Sequence, residues 1–305
     1  MNYSTLFFVG NGFDIAADYA TSYSDFYKSA QFENLIKDEN SIALYVKNKV
    51  SIKNWADLEQ ELYNYAMENL PNSSQERFKE HYDSVKSALY HYIGTVSYYR
   101  HDRLSDQLLR IQRFLKQLYN EDENIQFVSF NYTTIFDDLW KETTKQTPKI
   151  KHVHGNVDNS YLFGDKIVLG IDESMSVASE YNFLYKTFST AYDNFDISKA
   201  ISDAKRIIIF GCSMGDSDRW YFEQIFNNCS GKIVEIHAFG DSEIINCRQR
   251  IKELTNSTNL ANLTTKMQLK TFDNTSISQL TQAREDYYKY DNPDFLDSLK
   301  ADIES

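Results

Sequence analysis

The stretch LFFVGNGFDIA, residues 6–16, decides the fold of this chain. Its apolar start is followed by two glycines that flank Asn11, although the whole chain of 305 residues contains only 10 glycines. Glycines between a buried strand and a helix allow a tight turn and let a ligand approach the backbone, where free helix N–H groups carry a partial positive charge. The stretch therefore predicts a strand-to-helix turn that holds a nucleotide; a plain structural turn is the alternative. The residues predicted to meet the nucleotide are Gly10, Asn11, Gly12 and Phe13.

Asp14 stands at the point where this helix would begin. Its carboxylate could accept hydrogen bonds from the first N–H groups and cap the helix itself. A carboxylate there would repel a phosphate, or it would bind a ribose hydroxyl instead. We therefore predict that Asp14 belongs to the nucleotide site, in a capping or a ribose-binding role.

Further apolar runs along the chain extend this pattern to a whole sheet. They are rich in Ile, Val and Phe and are mostly continuous, which is typical of strands covered on both faces. Amphipathic stretches separate most of them, so we predict an α/β fold with a doubly wound, mostly parallel Rossmann-like sheet. The predicted strands are residues 5–9, 125–130, 166–171, 206–211, 232–239 and 267–272.

The long gap between the first two strands predicts a large helical insertion, residues 20–120. Apolar residues recur every three or four positions from Phe78 to Val96 and again from Leu104 to Leu118, which indicates two amphipathic helices. Their stripes are explained by packing of helices against one another; use of an exposed stripe to form a homo-oligomer is the alternative. We expect one compound domain, 1–305, whose nucleotide-binding core is 1–19 and 121–275, with a C-terminal helical tail at 276–305.

Composition and charge narrow the function classes. The formal net charge is −12 and no run of Lys or Arg occurs, which disfavours nucleic acid as the main ligand. The three cysteines have no C-x-x-C spacing, which disfavours a cysteine zinc site, and a disulfide framework would leave one thiol over. The N-terminus lacks a basic region, and no stretch of about 18 apolar residues occurs. We expect a soluble, cytoplasmic protein.

Polar residues follow several predicted strands and form candidate sites. In FNYTTIFDDLW (130–140), Asn131 follows a buried strand, and Thr133 or Thr134 could cap the next helix. In IKHVHGNV (150–157), His154 abuts Gly155 at a strand end, and a catalytic role competes with a structural one. The pair His152 and His154 could also bind zinc, but no third ligand has a supporting spacing.

Two more glycine-rich strand ends complete the set, so that six of the ten glycines lie at such turns. Because the carboxyl ends of parallel strands meet at one edge, we expect these turns to form one ligand site. In IIIFGCSMGDSDRWYFEQIF (207–226) the predicted ligand contacts are Gly211, Ser213 and Gly215, with Asp216 or Asp218 capping the helix or accepting from ribose. In LGIDES (169–174) they are Gly170 and Asp172.

Taken in order, six motifs resemble the AbiH-type bacterial abortive-infection family. They are GNGFDIA (10–16), NWADLE (54–59), FNYTTIFDDLW, HVHGN (152–156), VLGIDE (168–173) and GCSMGDSD (211–218). That family is distantly similar to the sirtuin-like NAD-binding fold. The resemblance implies a defence role that is exerted when a phage infects the cell, with a phage-derived trigger.

The same resemblance implies roles for single residues. Gly10 and Gly12 would approach the NAD pyrophosphate, and Asn131 would lie near the nicotinamide ribose. His154 matches the catalytic histidine, and the Gly211–Ser213 turn matches the adenosine side. The paired C-x-x-C motifs of the sirtuin zinc module are absent, which disfavours protein deacetylation.

Three functions follow as hypotheses. The first is an NAD glycohydrolase that releases nicotinamide, with His154 as general base and Asn131 orienting the attacking water. Asp14 or Asp172 would hold ribose hydroxyls or stabilise the developing positive charge. The second is a non-catalytic sensor that binds NAD, ADP-ribose or another nucleotide and acts through a partner or an oligomer. The third is a metal-dependent phosphate hydrolase that uses its aspartates; the first two need NAD as substrate or ligand and no metal.

Overall fold

A six-stranded parallel sheet forms the centre of the protein. The computed structural model describes residues 4–49, 55–69, 74–98, 105–157, 167–173, 175–192, 195–238, 240–256 and 267–271. The strands are β1 Thr5–Val9, β2 Ile125–Ser129, β3 Ile150–His152, β4 Arg206–Phe210, β5 Ile233–Ala238 and β6 Met267–Thr271. Their spatial order is β3-β2-β1-β4-β5-β6, and every neighbouring pair is parallel. This is the order of a doubly wound dinucleotide-binding sheet, so the predicted fold class is confirmed.

Helices cover both faces of this sheet, which explains why the central strands β1 and β4 are apolar without alternation. The helices are α1 Asn11–Ala16, α2 Tyr23–Tyr27, α3 Ala30–Lys37, α4 Ser41–Lys47, α5 Trp55–Asn69, α6 Gln75–Tyr98, α7 Asp106–Glu121, α8 Ile135–Thr144, α9 Ile197–Asp203, α10 Arg219–Asn228 and α11 Gly240–Leu254. Phe7 and Val9 of β1 pack with α7 and α8. Leu6 and Phe8 point to the other face and pack with α9 and α10. All five residues of β1 are buried.

The helical insertion has a core of its own. Residues from α2 to α6 form one apolar cluster, which confirms the predicted helical stripe from Phe78 onward in α6. The second predicted stripe is α7, and its side chains pack on the sheet through Ile111 and Leu115. α7 is therefore the crossover helix that leads back to β2, although nearly all of it lies within the predicted insertion at residues 20–120.

The predicted strand at 166–171 is wrong. Its described part, 167–171, makes two isolated bridges, Gly155–Ile167 and Ile171–Tyr185, and joins the apolar cluster of the helical insertion. The hydroxyls of Tyr132 and Tyr82 bind the carbonyls of Val168 and Leu169, so tyrosines take up bonds that a sheet would have used. The short strand β3 forms the sheet edge in its place.

The predicted C-terminal helical tail at 276–305 lies outside the described residues. Within the described ranges, no helix is both long and apolar enough to cross a membrane.

Candidate active site

A cleft lies at the carboxyl edge of the sheet, where β1 and β4 are neighbours and the chain winds in opposite directions from them. Its volume is about 820 Å³, and Tyr23 of α2, Glu59 of α5 and Ile93 of α6 close it from the side of the helical insertion. The predicted site residues that line the cleft are Gly10, Asn11, Gly12, Asn131, His154, Gly211, Ser213, Gly215, Asp216 and Asp218. Phe13, Asp14, Gly155, Gly170 and Asp172 were also predicted and do not line it.

The glycines after β1 and β4 let two turns pack against each other. A Cβ on Gly12 would lie 2.6 Å from the Cα of Gly211, and a Cβ on Gly10 would lie 2.6 Å from the Cα of Cys212. The Gly12 N–H donates to Gly211 O at 2.8 Å, and the Phe13 N–H donates to Gly10 O at 2.9 Å. These two N–H groups of α1 therefore do not face the cleft, and close backbone packing explains the glycines without a ligand.

Asp14 does not cap α1. The N-cap is Gly10 without a side-chain bond, and the Asp14 carboxylate is fully buried. It accepts from Asn131 Nδ2 at 3.0 Å and from Thr133 Oγ1 at 2.6 Å. Burial raises the pKa of Asp14 to about 7, although both hydrogen bonds lower it.

The predicted caps of α8 are also wrong. Thr134 is the N-cap residue, but its side chain makes no capping bond. The hydroxyl of Thr133 turns away from the helix and donates to Asp14. Because Asp14 attracts this hydroxyl, the loop after β2 is tied to the turn after β1.

Asn131 presents a free acceptor. Its Nδ2 donates to Gly10 O at 3.1 Å and to Asp14 Oδ1 at 3.0 Å. Both partners are acceptors, which assigns the nitrogen to that side of the amide. Asn131 Oδ1 is buried and has no hydrogen-bond partner within the described ranges. A buried acceptor without a partner costs about 1–3 kcal/mol, which a ligand donor would offset.

His154 belongs to a row of charged groups that are buried except for the half-buried Asp218. Its Nε2 lies 3.0 Å from Asp218 Oδ1, although the N–H does not point straight at that oxygen. Asp218 Oδ1 also lies 2.9 Å from Lys186 Nζ, which in turn lies 3.1 Å from Glu59 Oε1. The row joins α5 of the helical insertion to the 3₁₀ turn Asp216–Asp218 after β4.

Opposite charges keep the middle of this row ionised. Burial raises the pKa of Asp218, but Lys186 and His154 outweigh it and hold that pKa well below the usual range. Burial likewise lowers the pKa of Lys186, while Asp218 and Glu59 outweigh it and raise the value above normal. Two carboxylates and one ammonium leave a negative charge beside His154.

Arg250 fixes the turn after β4 at the mouth of the cleft. Its Nε and Nη2 donate to Met214 O at 3.0 and 2.8 Å, and Nη2 donates to Asp216 Oδ1 at 2.8 Å. Met214 has a φ of 53°, in the left-handed region, so these bonds hold an unfavourable backbone conformation. Asp216 therefore faces arginine at the rim of the cleft.

The two histidines of the H-x-H motif have different partners. His152 Nε2 lies 3.2 Å from Asp137 Oδ2, whereas His154 faces Asp218. Among the residues that the structure describes, no three His, Cys, Asp or Glu side chains are grouped as metal ligands.

Two residues of the charged row were not predicted from the sequence, Lys186 and Glu59. Lys186 lies in a stretch without glycine or a strand end, and its partners are 32 and 127 positions away. Glu59 falls in NWADLE, a motif of the family resemblance that we had not assigned to the site. Their charge pairs become visible only when the chain is folded.

Comparison with known families agrees with the resemblance of the motifs. Residues 6–239 match the family described as Bacteriophage abortive infection AbiH. The matched region begins in β1 and extends past β5, so it includes Asn131, His154, Lys186 and Asp218. No curated protein matches the chain. The match covers well over half of the chain and supports an anti-phage role. The protein therefore belongs to the AbiH family of bacteriophage abortive infection.

Proposed function

We propose that this abortive-infection protein is an NAD glycohydrolase. The bond between C1′ of the ribose and the nicotinamide nitrogen breaks, and nicotinamide leaves with the bonding electrons. A water oxygen adds to C1′ and loses one proton, which gives ADP-ribose. The observation on which the proposal chiefly rests is the unpaired acceptor Asn131 Oδ1, which lies in the same cleft as His154.

Asn131 Oδ1 suits the task of holding the attacking water or a ribose hydroxyl. Both ligands are O–H donors, and both would satisfy an oxygen that otherwise stays unpaired. The amide cannot rotate freely, because Gly10 O and Asp14 Oδ1 hold its nitrogen. Such preorganised polar groups lower a barrier without rearranging during the reaction.

His154 suits the task of accepting the proton from water. Its Nε2 faces Asp218, while its Nδ1 makes no hydrogen bond to the described part of the chain. A carboxylate on one imidazole nitrogen orients the ring and stabilises the imidazolium that forms when the other nitrogen takes a proton. The negative charge left by Glu59, Lys186 and Asp218 favours the same protonated state.

The place and size of the cleft support a nucleotide substrate. Open α/β sheets bind ligands at the carboxyl edge where the strand order reverses, which here is between β1 and β4. A volume of about 820 Å³ lies within the range of roughly 300–1,000 Å³ that is usual for ligand pockets.

A nucleotide sensor is the second candidate, and the contact between Lys186 and Glu59 favours it. This ion pair links the wall of the cleft to α5. A ligand that breaks the ion pair would therefore change a contact of the helical insertion. A sensor would bind NAD or ADP-ribose without releasing nicotinamide and would act through a partner or a second copy of the chain.

Incubation of the purified protein with NAD separates the two candidates. Nicotinamide and ADP-ribose are followed by chromatography, and NAD binding is measured by calorimetry in the same sample. Asn131→Ala is compared with Asn228→Ala, an exposed asparagine of α10 far from the cleft. The glycohydrolase is supported if nicotinamide is released by the wild type and by Asn228→Ala but not by Asn131→Ala. Saturable binding without any nicotinamide supports the sensor.

A further inference from the structure

Lys186 lies between two carboxylates that come from different parts of the chain. Glu59 Oε1 is 3.1 Å from its Nζ and belongs to the helical insertion, whereas Asp218 Oδ1 is 2.9 Å away and follows β4. The Lys186 and Glu59 side chains each expose 6% of their surface. Burial of an ammonium is costly unless it is paired, so this lysine needs both carboxylates.

We infer that Lys186 is a positioning residue, which sets the orientation of Asp218 and the proton affinity of the Asp218–His154 pair. Glu59 of the helical insertion contributes to this role through its ion pair with Lys186. The inference rests on the proposed role of His154 as the base. Lys186 is not itself assigned a contact with the substrate. Its partner Asp218 is the group that touches the imidazole.

The charges along the row predict opposite effects for its two outer members. Without the ammonium of Lys186, the pair Asp218–His154 stands beside one more uncompensated negative charge and binds its proton at higher pH. Without the carboxylate of Glu59, the ammonium acts on Asp218 alone, and the pair releases its proton at lower pH. Because the two groups interact strongly, the midpoint belongs to the pair rather than to one residue.

Other titratable groups near this row are Tyr132, Cys212 and Asp14. Burial raises the pKa of Tyr132 and of Cys212 well above their usual values, so both stay neutral. Burial raises the pKa of Asp14 to about 7, and this carboxyl reaches the site through its hydrogen bond with Asn131. His152 of β3 is paired with Asp137 of α8. The charged groups that are joined to His154 in one row are Asp218, Lys186 and Glu59.

The test follows the pH titration of His154 itself by NMR of the imidazole Cε1–H group. Its signal is identified by its loss in His154→Gln. We expect the midpoint to rise by about one to three pH units in Lys186→Met and to fall by about one unit in Glu59→Gln. Lys186→Arg keeps the charge and should restore the wild-type midpoint. The acid limb of kcat/KM for nicotinamide release should move in the same directions.

Matched controls come from an exposed ion pair on α3. Lys37 and Glu33 lie 3.2 Å apart with about two thirds of their side chains exposed, so Lys37→Met and Glu33→Gln should leave the His154 midpoint unchanged.

The inference is overturned if the midpoints of Lys186→Met and Glu59→Gln move in the same direction or do not move. If Lys186→Met fails to fold, an unchanged His154 midpoint in Glu59→Gln is sufficient to overturn the inference. Opposite shifts in a protein that never releases nicotinamide uphold the charge coupling and count against the glycohydrolase.

Discussion

The Asp14 carboxylate accepts a hydrogen bond from Asn131 Nδ2 at 3.0 Å, and this contact decides which end of the amide faces the cleft. With Gly10 O on the same nitrogen, the amide oxygen is turned toward the space that a ligand would occupy. Asp14 was expected to touch the ribose, but it is fully buried and acts on the site through Asn131. A residue at the start of α1 thus orients a side chain that follows β2.

Replacing Asn131 by Ala should reduce kcat for nicotinamide release by about 10²-fold or more. Loss of one preorganised polar group of a site typically has an effect of this size. Thermal unfolding should remain cooperative with a lower midpoint, because Gly10 O and Asp14 Oδ1 lose their shared donor. Turnover close to that of the wild type would contradict the proposed role of Asn131 Oδ1.

Replacing His154 by Ala should reduce turnover by about 10²–10⁴-fold, which is the usual contribution of a general base. The matched control is His91→Ala, since His91 is exposed on α6 and does not line the cleft. Initial rates at saturating NAD measure the effect. An equal loss in both variants would point to a general loss of folded protein and not to a lost base.

Asp14 should make stability fall as the pH rises toward neutrality. The pKa of its carboxyl rises from 3.8 to about 7 in the folded protein, so the folded state binds this proton more tightly than the unfolded chain. The contribution is fully present below pH 3.8 and is lost as the pH passes 7. The difference corresponds to roughly 4 kcal/mol.

Asp14→Asn tests this prediction, because an amide resembles the protonated carboxyl: its oxygen can accept from Asn131 Nδ2, and its nitrogen can donate to the hydroxyl of Thr133, which then accepts. Urea unfolding midpoints of the wild type and the variant are measured from pH 5 to pH 8. The variant should gain stability relative to the wild type across this range. A difference that does not change with pH would contradict the buried, titrating carboxyl.

Gly211→Ala should destabilise the fold, whereas Gly94→Ala should stabilise it. Gly211 has a φ of 64°, and an added Cβ would lie 2.5 Å from the carbonyl carbon of Gly12. Overpacking of this kind costs about 1–3 kcal/mol. At Gly94 in α6 a Cβ would meet nothing within 4 Å, and alanine is favoured over glycine in a helix by about 0.8–1.0 kcal/mol. If the melting temperatures of Gly211→Ala and Gly94→Ala change in the same direction, the close packing of the two turns would be contradicted.

Most of the sheet could be predicted because its strands lie between helices. The runs that became β1, β2 and β4 place apolar residues on both faces of the sheet, and this pattern is visible in the sequence. The run at 166–171 has the same composition, but its apolar residues pack against the helical insertion. Residue type alone does not distinguish burial under a helix bundle from burial in a sheet.

The strand that occupies the sheet edge, β3, has only three residues, and the Ile150-Lys151-His152 sequence has a single apolar member. Its place is fixed by pairing with β2 and not by its own composition. The cleft residues after β1, β2 and β4 were accessible to prediction because strand ends of a parallel sheet meet at one edge. The pairing of Lys186 with Glu59 was not, because the two residues are 127 positions apart and no local pattern links them.

The proposed glycohydrolase is tested most directly by the NAD content of infected bacteria that produce the protein. NAD and nicotinamide are measured by mass spectrometry before and after phage infection, with the wild-type chain and with His154→Ala at equal protein levels. The account predicts that NAD falls and nicotinamide rises after infection with the wild type, and that both stay constant with His154→Ala. An unchanged NAD level in infected cells that the wild-type protein nevertheless protects would contradict it.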